Sequence, residues 1–219
     1  MKRQKERQKK VIRVSKNHFN VGKEYKKCLL FLRESKNFIY SAILIFFIFT
    51  ALGFFFGDLI DLFFKSVFGL NLNDQILAYI KNLLLQIEGM STKQLMGFIF
   101  FNNLQSSFLG MIFGIFLGIF PLVAIISNGY VLGFVAMLSV KVQGAIVLWR
   151  IFPHGIFELP AIFISLGLGL RFGMFIFRHK KFSSFKDLFL NSLRVFLFIV
   201  LPLLIIAAII EGSLIMLIG

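Results

Sequence analysis

Between Phe38 and Gly57 the chain carries no charged side chain. The run matches the ~20 apolar residues that a helix needs to cross a hydrocarbon core of roughly 30 Å. With 58% hydrophobic residues over 219 positions and a mean hydropathy of +0.87, the rest of the chain cannot enclose such a segment in one water-soluble core. Lipid has to supply the surroundings.

Further apolar stretches extend the pattern to an all-α, polytopic transmembrane helical bundle of about five spans, at about 38–57, 104–126, 130–148, 155–177 and 195–211. Residues 1–36 form a basic arm in which Tyr25, Cys28, Leu29 and Leu32 recur at helical spacing among lysines and arginines. That spacing predicts an amphipathic interfacial helix leading into the transmembrane domain, 37–219. Segment 58–103 regains single charges, and Ile76, Leu77, Ile80, Leu83, Leu84 and Ile87 mark one helical face after Asn73, a candidate cap. Gly110, Gly114 and Gly118 stand four residues apart, as do Gly169 and Gly173. Such ladders let another helix approach closely and suit a homo-oligomer such as a dimer. Asn128-Gly129 reads as a two-residue turn that folds the second and third spans into a hairpin.

Orientation follows from the basic residues. Of the 24 Lys and Arg, 13 lie between Lys2 and Lys36 and 5 between Arg178 and Arg194, whereas 58–103 and 141–153 hold 5 together. The excess places the N-terminus and the 178–194 loop in the cytoplasm of a cell membrane and the C-terminus outside. The net charge of +14 is therefore a juxtamembrane charge, drawn to anionic lipid headgroups rather than to nucleic acid. The first apolar run starts too far from the N-terminus, and is too long, for a cleavable signal peptide. The single cysteine, Cys28, leaves no intramolecular disulfide and no cysteine-rich metal site.

With this topology Asn102, Asn103, Lys141, His154, Glu158 and Glu211 all fall toward the outer leaflet, where ionisable groups need partners or water. They form a candidate functional polar cluster. His154 and Glu158 share a helix face, and Lys141 is the expected counter-charge for Glu158 or Glu211. Arg171, 13 residues beyond Glu158, is expected to reach the cytoplasmic headgroups. A catalytic zinc usually takes three protein ligands, while His18 and His179 fall on the cytoplasmic side, so neither a metal, a cofactor nor a catalytic residue is assigned. A hydrogen-bonded structural cluster, a conduction or proton-transfer site, and a metal site remain the three chemistries open to these residues.

Asn102-Asn103, the Gly-rich pair of spans around Asn128-Gly129, and Pro153-His154-Gly155-Ile156-Phe157-Glu158-Leu159 resemble the stage II sporulation protein M family of membrane proteins, as do Glu34-Ser35-Lys36-Asn37-Phe38 and the ending Ala207-Ala208-Ile209-Ile210-Glu211. The resemblance runs from about residue 30. In sporulating bacteria it implies a part in engulfment, in which the membrane protein helps to place peptidoglycan-degrading enzymes and is not itself the hydrolase. The expected function is thus a non-enzymatic scaffold or remodelling factor for an extracytoplasmic protein partner. A channel or transporter using the Lys/His/Glu cluster is the alternative, and an intramembrane metal-dependent hydrolase is a third.

Overall fold

A computed structural model describes residues 20–176 and 182–218, and the side chains of all of these except 149–154, 176, 182–183 and 214–218. Helix α1, Val21–Phe68, is one unbroken helix of 48 residues, about 72 Å at 1.5 Å per residue. The Asn20 side chain accepts from Lys23 N at its start, and Gly69, in the left-handed region at φ 69°, closes its end by donating to Lys65 O. The apolar run 38–57 occupies only its middle, so the interfacial lead-in expected before Phe38 is continuous with the span.

After Gly69 the chain doubles back into α2, Leu72–Ile87. Asn73 lies inside the first turn rather than at the cap, and its backbone N–H donates to Asp61 Oδ1 at 2.9 Å. A carboxylate on α1 thus takes up one of the orphan amides at the start of α2 and holds the hairpin shut. None of α2's residues is buried.

Helix α3, Thr92–Ile112, begins with Ser91 N donating to Gln94 Oε1 and ends in a 3-10 turn, Phe113–Ile115. Leu117 (φ 56°) and Gly118 (φ 73°) then reverse the chain into α4, Ile119–Gln143. This corrects the expected turn: Asn128 and Gly129 sit in the interior of α4, and the second and third membrane-length helices are Thr92–Ile115 and Ile119–Gln143. The physical reason lies in packing. A Cβ on Gly129 would stand 2.5 Å from Phe46 O, and one on Gly133 would run into Thr50 O. The glycines let the α4 backbone lie against α1, where the Asn-Gly pair had read as a loop.

Helix α5, Leu148–Ile176, follows a 3-10 turn at Ala145–Val147. Helix α6, Phe182–Val195, passes through a π-turn at Phe196–Val200 into α7, Leu201–Ile218. Pro202 has no N–H to donate to Phe198 O and its ring crowds that carbonyl, which accounts for the widened turn before it.

Contacts give every helix a direction. Phe46 with Gly129 and Thr50 with Gly133 advance together along α1 and α4, so these two are parallel. Ile39 with Gly167 and Phe46 with Phe163 run oppositely along α1 and α5. Gly114 with Gly169 and Gly118 with Gly173 align α3 with α5, while Met96 with Gly212 and Phe108 with Phe196 oppose α3 to the α6–α7 helix. Among the described residues five helices, Val21–Phe68, Thr92–Ile115, Ile119–Gln143, Gly155–Phe175 and Ser184–Ser213, are long and apolar enough to cross a membrane, and they alternate in direction as five complete crossings require. One core gathers Met111, Leu168, Phe172, Val195 and Leu204 with Cys28 and Phe31 of α1, and a second gathers Phe46, Ile125, Phe163 and Leu166.

Candidate functional site

Below, the far end of the bundle is the one that carries Gly57, Lys141 and Gly155, and the near end the one that carries Asn37, Arg171 and Arg194. Helix direction puts Asn102, Asn103, Glu158 and Glu211 in the far half. They do not form one closed cluster with Lys141. Its Nζ is 3.1 Å from Asp58 Oδ2, and both side chains are more than half exposed. Lys141 therefore neutralises a carboxylate at the end of the α1 span and not Glu158 or Glu211, which corrects the expected pairing. Parallel packing of α1 and α4 brings their last span residues to one level, and Tyr130 donates to Gly57 O at 3.3 Å just below.

Glu158 lies on α5, which packs against α7, the helix of Glu211. It lines an open cleft of about 280 Å³ between α4 and α5, with Asn128, Val131 and Val135 on one wall, Gly155 and Ile162 on the other, and Phe46 of α1 at the back. Asn102 is exposed and Asn103 half-buried on α3, and their backbone carbonyls accept from Ser106 Oγ at 2.8 and 3.4 Å. The His154 side chain lies outside the described residues. Among those residues no three His, Cys, Asp or Glu side chains gather as a metal site. Two carboxylates on neighbouring helices can exchange a proton or share a cation, and a membrane-depth amide can bind another helix.

A second polar group, at the near end, has no counterpart in the sequence reading. Arg171 meets α1 there. Its guanidinium lies 4.5 Å from the centroid of the Phe31 ring, donates to Ser35 Oγ, and stands 3.4 Å from Glu34 Oε2. Arg194 meets Glu24 Oε2 at 2.5 Å, and Lys27 meets Glu24 Oε1 at 2.6 Å. These links tie α1 to α5 and α6. The available signal was the pair of acids, Glu24 and Glu34, in an otherwise basic lead-in.

The glycine ladders are internal. A Cβ on Gly114 would collide with the Gly169 carbonyl, and one on Gly173 with Gly118 N. A Cβ on Gly110 would meet the Leu166 side chain. They therefore hold α3 to α5 within one chain and do not offer a face to a second copy.

The α1–α2 hairpin leaves much of its apolar surface exposed. α2 contacts the end of α1 and little else. Leu59, Leu62, Phe63, Val67 and Phe68 of α1 and Leu77, Tyr79, Leu84 and Leu85 of α2 are all exposed.

Comparison with protein families matches residues 42–214 to the family described as Stage II sporulation protein M, and the chain belongs to that family. The match covers both the Gly-packed helices and the cleft. No curated protein matches the chain. No solved structure matches it either.

Proposed function

We propose that this member of the Stage II sporulation protein M family is a non-enzymatic membrane scaffold whose α1–α2 hairpin docks an extracytoplasmic protein. The bundle anchors the arm and the hairpin is the arm. Where relatives sporulate, cell-wall-degrading or engulfment machinery is the class of partner. The observation that carries this reading is α2 itself: sixteen residues without one buried side chain, packed on the end of α1, with Leu77 and Leu84 exposed on one side of it and Leu85 and Tyr79 exposed elsewhere around it. A helix with so little intramolecular burial contributes little to the bundle's stability, whereas a contiguous exposed apolar surface marks an interaction site. The basic flanks at 2–36 and 178–194 favour a cytoplasmic N-terminus, which puts this hairpin outside.

The test replaces residues 71–88 with a short Gly/Ser linker. The bundle should still insert and melt as the parent does, while association with its partner, followed by cross-linking in cells, should be lost. Undiminished association in the inserted variant refutes the arm.

A second reading, an ion- or proton-conducting path, is favoured by two carboxylates, Glu158 and Glu211, on the packed helices α5 and α7 in the far half of the bundle. It requires flux in proteoliposomes that falls in Glu158→Gln, and equal flux in the two proteins rejects it.

A further inference from the structure

Asn128 is exposed on α4, next to Gly129, whose backbone packs on Phe46 near the middle of the apolar run 38–57. That level is about 12 Å from Phe38 along the helix, close to the centre of a hydrocarbon core of roughly 30 Å. The Asn128 amide has no hydrogen-bond partner among the described residues, although its neighbour Ser127 satisfies its own hydroxyl on Val123 O. Acyl chains offer neither donors nor acceptors, so an amide facing them is costly until another polar group meets it. The cleft beside it, which Glu158 also lines, is open. Most span glycines are pressed against another helix, but among the described residues a Cβ on Gly155 would meet only Leu159 of its own helix, at 3.6 Å.

We propose that Asn128 and the α4–α5 cleft form the contact surface for a second copy of this chain, the two Asn128 amides hydrogen-bonding across a two-fold axis along the membrane normal. Two copies inserted by the same route share one orientation, so such an axis is the symmetry open to a closed dimer, and it brings each residue opposite its own counterpart at equal depth. An amide suits that position because it both donates and accepts. Val131 and Val135, one and two turns further along α4 in the same cleft, supply the apolar part of the contact, and Gly155 leaves room for it. The interface is independent of what the α1–α2 hairpin binds.

The test uses the full chain in phosphatidylethanolamine/phosphatidylglycerol vesicles with Cys28→Ala as background. Under mild oxidation Val131→Cys and Val135→Cys, which keep Asn128, should form disulfide-linked dimers. Phe55→Cys and Phe101→Cys, exposed on other helices, should not. Energy transfer between copies labelled at Lys93→Cys, followed as lipid is added, should show self-association weakened about tenfold in Asn128→Leu and largely restored in Asn128→Gln. Absence of dimers at both valines, or equal dissociation for Asn128→Leu and the parent, overturns the proposal. In cell membranes, adducts of Val131→Cys or Val135→Cys with a different protein and none with a second copy also overturn it.

Discussion

The Lys141 ammonium stands 3.1 Å from the Asp58 carboxylate, joining the last turn of α4 to the end of the α1 span. Both groups are largely exposed, and an exposed pair contributes about 0–1 kcal/mol. Lys141→Gln should therefore lower the melting temperature in detergent by no more than about 4 °C, taking about 2–4 °C per kcal/mol for a chain of this size. The lone, buried Cys28 provides the readout, through a thiol dye that reports unfolding. A much larger loss would mean that Lys141 also compensates Glu158 or Glu211.

Arg171 should behave differently. It is held by a ring, a hydroxyl and a carboxylate and is only 21% exposed. Arg171→Ala removes all three contacts and should cost about 2 kcal/mol, or about 4–8 °C in the same assay. Arg171→Lys keeps the charge without the planar fork and should recover only part of it.

The glycines separate into two classes. Gly133→Val and Gly114→Val place a side chain against the backbone of α1 and of α5 respectively, and each should cost about 3 kcal/mol or more, or prevent stable insertion. Gly97, in the helical interior of α3 with nothing among the described residues within 4 Å of a Cβ, should accept Ala with a gain of up to about 1 kcal/mol. Membrane-extracted yield and the Cys28 melt distinguish the three variants.

Orientation is checked by labelling. In the Cys28→Ala background a cysteine at Tyr79, exposed on α2, should react with a membrane-impermeant thiol reagent in intact cells. One at Lys186, in the basic segment before α7, should react only after the cytoplasmic side is opened. The reverse pattern inverts the topology.

How far the sequence reached depended on whether depth or direction around a helix was at issue. Uninterrupted apolar runs place α1, α5 and the α6–α7 helix, and the family resemblance is met by the match over 42–214. The α3–α4 reversal was misplaced because it occurs within apolar residues at Leu117 and Gly118. Its cues were a left-handed glycine and Pro121 in the first turn of α4, where a missing N–H costs nothing. Asn128-Gly129 carries the stronger turn signature, yet here the glycine serves helix contact and the asparagine faces a cleft. In the polar set, counting along the spans gave the depth of Lys141 and Arg171 but not the side of the helix each faces. Their partners, Asp58 and Glu34, both lie on α1.

The scaffold reading is tested most directly by a photo-reactive residue placed at Leu84 of α2 in the intact, inserted chain. The account predicts a cross-link to one extracytoplasmic protein, lost in Leu77→Asp and unchanged in Glu158→Gln. Cross-links to lipid alone, with cell phenotype unaltered by Leu77→Asp, would contradict it.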